Sequence, residues 1–350
     1  MNLFKKLTIA ILLLITIISC ESDSNQEPYL GSYANGIFVL NEGPFNNGTG
    51  TLSYIGVSNV MTHNIYQKAN GEELGNIAQS MYLHDDKAYI VINNSHKVIV
   101  ANRYTMEKIA VIEGTNINNP RYFVAVGNTG YISNWGDASN ATDDFIAVID
   151  LNTNTITSTI SVGEGPEDML VNNDTIYINL QGGYGQNNKL EVLNTDSNTV
   201  TSSLTIGDVP NSILKDSNGA IWVLCGGKPS WTGSETNGKL IKIENNAVTN
   251  TLDFGTGKHP QHLTISNNDL YYNLDGKVYK MAISINELNT DGITGFDGYY
   301  YSMKANDNFL YTTNAGDFSS EGTLKVFDLS TNTEAYSKTT GIIPGNIIFQ

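Results

Sequence analysis

A pair of β-strand patterns repeats along this chain and returns to its starting point at the C-terminus. One copy begins at Pro166 with an apolar run, continues through a polar turn at 172–174, and ends in an alternating run of β-branched and aromatic residues. The spacing between copies, about forty to fifty residues, is typical of propeller blades. The second strand of the pair is predicted at residues 36–41, 88–93, 130–134, 176–179, 221–224, 270–273 and 310–314. Seven copies predict an all-β fold, a seven-bladed β-propeller.

The first strand of the pair is missing from the copy at residues 36–41. The other six copies begin at anchor residues Ala78, Pro120, Pro166, Pro210, Pro260 and Tyr300. The missing strand is found at 344–350, where the sequence matches the start of a unit. We therefore predict that residues 347–349 pair with residues 37–40 and close the ring, which removes the exposed edges of an open sheet. No Pro/Gly/Ser-rich linker interrupts the repeat, so we predict one propeller domain over residues 35–350.

The N-terminal segment lies outside the repeat and carries its own pattern. Lys5 and Lys6 precede a short apolar run at 7–18, and Cys20 follows. Such a run is too short for a comfortable transmembrane helix and is typical of a secretory signal. The segment resembles the lipobox of bacterial lipoproteins. This resemblance implies a signal peptide over residues 1–19, cleavage before Cys20, and a diacylglycerol group on the Cys20 thiol.

The stretch after the cysteine is acidic. Residues 20–34 are predicted to be a lipidated tether that anchors the protein to a membrane without spanning it. The acidic residues at 21–27 resemble the export signal of surface lipoproteins in Bacteroidota-type bacteria, which implies an outer-membrane lipoprotein exposed on the cell surface. The alternative interpretation is a solvated, disordered tether.

Charge and cysteine content exclude several classes of partner and bond. The formal net charge of −16 repels nucleic acid phosphates and anionic lipid headgroups, so we exclude nucleic acid and expect membrane contact through the lipid anchor only. The chain has two cysteines, Cys20 and Cys225. With Cys20 acylated, no intramolecular disulfide is available, and Cys225 is predicted to be a small packed residue.

The central part of the chain carries the clearest family pattern. It reads GYISNWG from Gly130, IAVID at 146–150, NTNT at 152–155 and ISVGEGP up to Pro166. This pattern resembles the YVTN-repeat propellers of the YncE type, and residues 283–300 match it least well. The resemblance implies that the first strand of each blade lines the central axis. It also implies that the functional face is the side on which the chain enters that strand.

Two sets of residues are expected on that face. The first set directly follows the anchors, and the second lies in the long, variable loops that leave the second strands, where binding usually resides. Aromatic rings in polar loops are good binding candidates because a ligand restores their burial, although each ring could instead cover the end of its own blade. The predicted ligand-binding residues are Arg121, Tyr122, Asp168, Asn211 and His262 near the axis, and Phe45, Trp135, Tyr184, Trp231 and Phe318 in the loops.

Catalytic and metal-binding patterns are weak in this sequence. Glu167 and Asp168, together with Asn211, offer oxygen ligands for Ca²⁺, but they would equally pair with Arg121 or remain solvated at the channel mouth. His259 and His262 lack a third fixed ligand for a metal, which favours a neutral hydrogen-bonding role. We therefore expect no catalytic residues, no resident metal and no cofactor.

Three functions remain open. The stretch GIFVLNEG at 36–43 resembles the start of BtuG-type lipoproteins, which implies capture of cobalamin (vitamin B12) and delivery to a TonB-dependent outer-membrane transporter. The main alternative is a protein-binding scaffold of the envelope, since propellers also serve that role. The third is a hydrolase or lyase with a central ion, using Glu167, Asp168 and His262.

Overall fold

Antiparallel sheets follow one another around a ring in this protein. The structure, a computed structural model, describes residues 30–45 and 47–350. In this part of the chain the strands form seven sheets. Six of them pair their strands in chain order from an inner to an outer strand, and the first blade takes its inner strand from the C-terminal segment. The fold is a seven-bladed β-propeller, as the sequence predicts.

The first four blades, each given from its inner strand outward, alternate short turns with longer loops. The first contains β27 (Pro344–Phe349), β1 (Gly36–Asn41), β2 (Thr51–Gly56) and β3 (Met61–Thr62); the second contains β4 (Ala78–His84), β5 (Lys87–Ile92), β6 (Lys97–Asn102) and β7 (Lys108–Glu113); the third contains β8 (Pro120–Val126), β9 (Thr129–Asn134), β10 (Phe145–Asp150) and β11 (Thr155–Ser161); the fourth contains β12 (Pro166–Asn172), β13 (Thr175–Leu180), β14 (Lys189–Asn194) and β15 (Thr199–Thr205).

The remaining blades keep the same order, but one has a strand fewer. The fifth contains β16 (Pro210–Lys215), β17 (Ile221–Cys225), β18 (Lys239–Glu244) and β19 (Ala247–Asp253); the sixth contains β20 (Gln261–Ser266), β21 (Asp269–Leu274) and β22 (Lys277–Ala282); the seventh contains β23 (Ser302–Asn306), β24 (Phe309–Asn314), β25 (Glu321–Asp328) and β26 (Thr333–Ile342). The helical segments are α1 (Ile65–Asn70) and a 3₁₀ turn at Ser230–Thr232. No helix among the described residues is long and apolar enough to cross a membrane.

The C-terminal strand closes the ring, which confirms the predicted pairing. Ile347 lies opposite Val39, Ile348 opposite Phe38, and Phe349 opposite Ile37. The Ile347 and Val39 side chains are completely buried. Burial of these apolar groups provides the driving force for closure, and the backbone pairing satisfies the edge of β1.

Packing between neighbouring blades forms the hydrophobic core. One cluster joins Phe38 of the first blade to Ile90 of the second, and another joins Tyr89 of the second blade to Ile132 of the third. The same arrangement continues around the described ring, and Val39 and Val326 close it between the first and seventh blades. Each blade therefore depends on both neighbours for its burial. Cys225 lies in one of these clusters, fully buried, as predicted.

The sixth blade deviates from the repeat for a visible reason. The outer edge of β22 is covered by the segment 283–298 instead of a fourth strand. Ile293 N donates a hydrogen bond to Val278 O at 2.7 Å, and Ile285 N donates to Ala282 O at 3.0 Å. The segment thus satisfies edge carbonyl groups without regular strand pairing, which explains why residues 283–300 fit the sequence repeat poorly.

The residue before most inner strands adopts a left-handed backbone conformation. Gly165 does so with φ 69°, and an added Cβ there would lie 2.0 Å from Gly183 N and 2.3 Å from Gly182 N. A side chain at Gly165 would therefore meet both conformational strain and a steric clash with backbone. This contact fixes the loop after β13 against the start of β12.

We expect Gly165→Ala to lower the free energy of unfolding by about 2 kcal/mol or more, measured by urea denaturation. Gly127→Ala is the matched control, because Gly127 has φ 55° but nothing lies within 4 Å of the position that an added Cβ would occupy. That control should lose only about 1 kcal/mol from conformational strain. Equal losses in the two variants would show that the close approach at Gly165 has no energetic weight.

Candidate functional site

The two sets of predicted site residues lie on one face of the ring, and backbone hydrogen bonds join them. Trp135 N donates to Asn119 O at 3.2 Å, Gln181 N to Gly165 O at 2.8 Å, and Gly226 N to Val209 O at 2.8 Å. Each bond links the loop leaving a second strand to the residue before an inner strand. We call this side, which carries the loops after β1, β9, β13, β17 and β24, the loop face.

A channel of about 610 Å³ opens along the axis of the ring. Polar residues near the loop face line its mouth, and mostly apolar residues of the inner strands line its depth. Four predicted site residues lie in its wall, namely Tyr122, Asp168, Asn211 and His262. Most inner strands bulge just after their anchors, as between Pro166 and Met169, and such bulges re-aim the side chains that follow an anchor.

Arg121 forms the centre of a polar cluster at the channel mouth. Its Nε donates to Glu167 Oε1 at 2.8 Å, its Nη2 to Glu167 Oε2 at 3.3 Å, and its Nη1 to Gln79 Oε1 at 2.6 Å. The Trp135 ring lies against the guanidinium, with 4.1 Å between Arg121 Cζ and the ring centroid. Burial raises the pKa of Glu167, and the Arg121 charge opposes that rise. The Arg121 guanidinium therefore has hydrogen-bond partners within the protein, and its contact with Trp135 holds that ring in place.

Glu42 and Tyr301 form a second polar pair beside this cluster. The Tyr301 hydroxyl lies 3.0 Å from Glu42 Oε1 and 3.1 Å from Glu42 Oε2. Burial raises the pKa of Glu42, and the hydrogen bond from Tyr301 opposes that rise. The Tyr301 ring also packs edge-on against Phe318, with 5.6 Å between centroids. Glu42 and Tyr301 were not among the predicted binding residues, although both lie in the segments expected on this face.

The aromatic rings of the loops differ in exposure. Trp135 is half-buried against Arg121 and contacts Tyr184 edge-on at 6.1 Å. Four other predicted rings each keep between 55% and 77% of their surface exposed, namely Phe45, Tyr184, Trp231 and Phe318. Tyr299 adds another exposed ring, above Gly276. It was missed because it belongs to the irregular segment of the sixth blade, where no repeat position identified it.

Asn211 and His262 connect adjacent blades. Asn211 Nδ2 donates to Pro260 O at 2.9 Å, and His262 Nε2 donates to Tyr300 O at 2.9 Å. Burial lowers the pKa of His262, so its imidazole is neutral at pH 7. His259 instead contacts Gly226 O and Glu235. The two imidazoles therefore have separate partners, and no group of three or more His, Cys, Asp or Glu among the described residues is placed to hold a metal ion.

The sequence of this chain matches a family of protein domains. A family model described as a domain of unknown function, DUF5074, matches residues 35–334. The chain belongs to the DUF5074 family. The match covers the described blades almost completely, from the start of β1 into the last outer strand. No curated protein sequence matches this DUF5074 chain.

Solved structures confirm that the DUF5074 propeller shares its fold with very different sequences. A hydrazine synthase structure from Kuenenia stuttgartiensis is 15% identical with a TM-score of 0.61, and the alignment covers 82% of this chain and 96% of that chain. Apo AztD from Citrobacter koseri is 12% identical with a TM-score of 0.54, covering 89% and 96% of the two chains. The computationally designed Ika8 protein is 11% identical with a TM-score of 0.58, covering 88% and 95%. At these identities the similarity concerns the fold alone.

Proposed function

We propose that this DUF5074 propeller is a non-enzymatic surface lipoprotein that captures cobalamin on its loop face and passes it to a TonB-dependent outer-membrane transporter. The observation that carries the proposal is the set of exposed aromatic rings in the loops of that face. Exposing such rings to water has a free-energy cost that a bound ligand would recover. Cys20, the proposed site of lipidation, and the proposed signal peptide at 1–19 lie outside the described residues.

The charge balance of the channel mouth supports a broad, nearly neutral ligand. The Arg121 charge is compensated by Glu167, and Glu42 accepts from Tyr301. Amide and hydroxyl groups predominate among the remaining polar side chains, as in Gln79 and Asn211. Cobalamin is amide-fringed around its corrin ring, so hydrogen-bonding groups and aromatic surfaces suit it better than isolated charges.

The same contacts argue against hydrolysis as the main function. Glu167 is held by Arg121, and His262 donates to a backbone carbonyl rather than facing an acidic partner. A general acid or base needs a free position within hydrogen-bond reach of the substrate. We therefore propose binding rather than turnover at this face.

The test is calorimetric titration of cyanocobalamin into the chain from Ser22 to Gln350, which contains the compact unit Ser32–Gln350. We expect one-to-one binding, and we expect Trp231→Ala to weaken it at least tenfold, because a few exposed aromatic anchors dominate affinity. Trp135→Ala should weaken it as well, and the double variant should weaken it most. Tryptophan fluorescence gives a second readout, since Trp222 is buried and Trp231 is exposed.

Val248→Ala is the control variant, because Val248 is an exposed apolar residue in the outer strand β19, away from the loop face. It should bind cyanocobalamin like the wild-type protein. Absence of both heat and thermal shift with wild-type protein would overturn the cobalamin proposal and would favour a protein-binding scaffold. Equal affinity in the Trp135/Trp231 double variant would exclude those two rings as the anchors.

A further inference from the structure

Lys304 occupies a position in the channel wall where other blades carry uncharged residues. It lies on the inner strand β23, opposite Tyr311 of β24. The same register places Val124 opposite Tyr131 in the third blade and Leu170 opposite Tyr177 in the fourth. A lysine therefore replaces an apolar residue at an equivalent position of the repeat. The replacement points to a role other than packing, because an ammonium group in the channel wall gains nothing from apolar neighbours and requires a polar partner.

Asp168 lies on the opposite side of the ring from Lys304, on the inner strand β12. Their blades, the fourth and the seventh, are three positions apart, which is the largest separation in a seven-membered ring. Both residues line the same channel, yet no ion pair joins them. Asp168 accepts a hydrogen bond from Met169 N at 2.9 Å, and Lys304 keeps its side chain exposed to the interior of the channel. Two opposite charges thus face one cavity with space between them.

Burial and the opposite charge both affect the pKa values of Asp168 and Lys304. Burial raises the pKa of Asp168 to about 6, and the Lys304 charge opposes that rise. Burial lowers the pKa of Lys304, and Asp168 opposes that change. Because both shifts reflect the cost of charge inside the ring, a group that neutralised both at once would be favourable.

We propose that the channel is a second ligand site, which binds a small zwitterion, an α-amino acid, with its ammonium group at Asp168 and its carboxylate at Lys304. A cavity of about 610 Å³ lies within the range of about 300–1,000 Å³ that is usual for small-molecule sites. Three methionines, Met81, Met169 and Met303, line the same channel. Methionine side chains adapt to ligands of irregular shape, so the wall favours an aliphatic or thioether side chain on the amino acid.

The ligand itself provides the first test, on the chain from Ser22 to Gln350 without cobalamin. L-Leucine is titrated by calorimetry and compared with N-acetyl-L-leucine, which lacks the ammonium group, and with L-leucinamide, which lacks the carboxylate. We expect L-leucine to bind and both analogues to bind at least tenfold more weakly. The proposal is overturned if neither L-leucine nor L-methionine binds at millimolar concentration, or if N-acetyl-L-leucine binds as tightly as L-leucine.

Variants provide the second test. Lys304→Met places an apolar side chain where the repeat tolerates Val124 and Leu170, so we expect the variant to fold and to bind L-leucine at least tenfold more weakly. Asp168→Asn should weaken binding in the same way. Val248→Ala, in the outer strand β19, should leave L-leucine binding unchanged. Unchanged L-leucine binding in Lys304→Met would refute the site. Failure of cobalamin to bind would not affect this proposal, because the binding of each ligand is measured separately.

Discussion

A chain that ends at Gly341 is expected to lose its cooperative unfolding transition. Deletion of residues 342–350 removes β27, so β1 loses its inner partner and the buried side chains of Ile347 and Ile348 are lost. It also removes the hydrogen bonds from Glu42 N to Ile343 O and from Thr313 Oγ1 to Pro344 O. The combined loss exceeds about 5 kcal/mol, which is comparable with the whole stability of a typical domain.

The deletion is measured by circular dichroism and by urea denaturation. We expect a broad, early transition and aggregation through the open edge of β1. A synthetic peptide spanning residues 342–350 should restore part of the transition in proportion to its concentration, because it binds only the folded state. A deletion variant with the wild-type melting temperature would contradict the role of β27 in closure.

A point variant avoids the larger disruption of the deletion. Ile347→Ala removes fully buried apolar atoms from the first blade and should cost about 2–5 kcal/mol. Ile109→Ala is the matched control, since Ile109 is 48% exposed in the outer strand β7. It should change stability by no more than about 0.5 kcal/mol. Equal effects would show that closure contributes no special stability.

Breaking the Arg121–Glu167 pair is expected to have the second-largest effect. Both side chains are largely buried, with 16% and 7% of their surfaces exposed. Arg121→Met leaves the Glu167 carboxylate buried and unpaired, which should cost about 3–5 kcal/mol at neutral pH. The Trp135 ring also loses the guanidinium that it packs against. The double variant Arg121→Met/Glu167→Met should recover most of the stability, because no isolated charge remains.

The pH dependence of Arg121→Met provides a separate check. Burial raises the pKa of Glu167, and removal of Arg121 removes the charge that opposes the rise. In the unfolded chain an ordinary glutamate titrates at about pH 4.3. As pH rises above that value, the Glu167 carboxyl loses its proton in the unfolded state before it does so in the folded state. The stability of the variant therefore falls with rising pH until the pH exceeds the raised pKa of Glu167 in the folded state.

Urea midpoints of the wild type and of Arg121→Met, measured between pH 4 and pH 8, test this expectation. The urea midpoints of the two proteins should be similar at low pH, and the difference between them should grow as pH rises. A difference that does not depend on pH would mean that the loss comes from packing against Trp135 rather than from the unpaired carboxylate.

The sequence was sufficient to predict the ring because the two-strand pattern recurs once in each blade. The pairing of Ile347 with Val39 followed from one missing strand at the start and one surplus strand at the end. The strand ends were less exact. The inner strand of the seventh blade begins at Ser302 rather than at Tyr300, and β13 extends to Leu180 rather than ending at Asn179. Alternation identifies which residues pair but does not determine where a loop bends away.

The candidate site was only partly predictable. Arg121, Tyr122 and Asp168 follow anchors, and their positions on the loop face came from the repeat. The pairing of Tyr301 with Glu42 joins residues 259 positions apart, and no local pattern contains such a contact. Lys304 had a visible signal, a charge within an otherwise apolar strand, but its meaning depends on Asp168 across the channel. Contacts between residues on opposite sides of the ring can be identified only from the three-dimensional structure.

The pairing of β27 with β1 also determines when the molecule can be completed. The first blade joins β1, β2 and β3 to β27, so its inner strand is synthesised after the described strands of the other six blades. Until residues 344–349 have left the ribosome, β1 has no inner partner and the seventh and first blades cannot share their core. Ring closure therefore follows the synthesis of all the other strands, and a nascent chain remains open until residues 344–349 are free to pair.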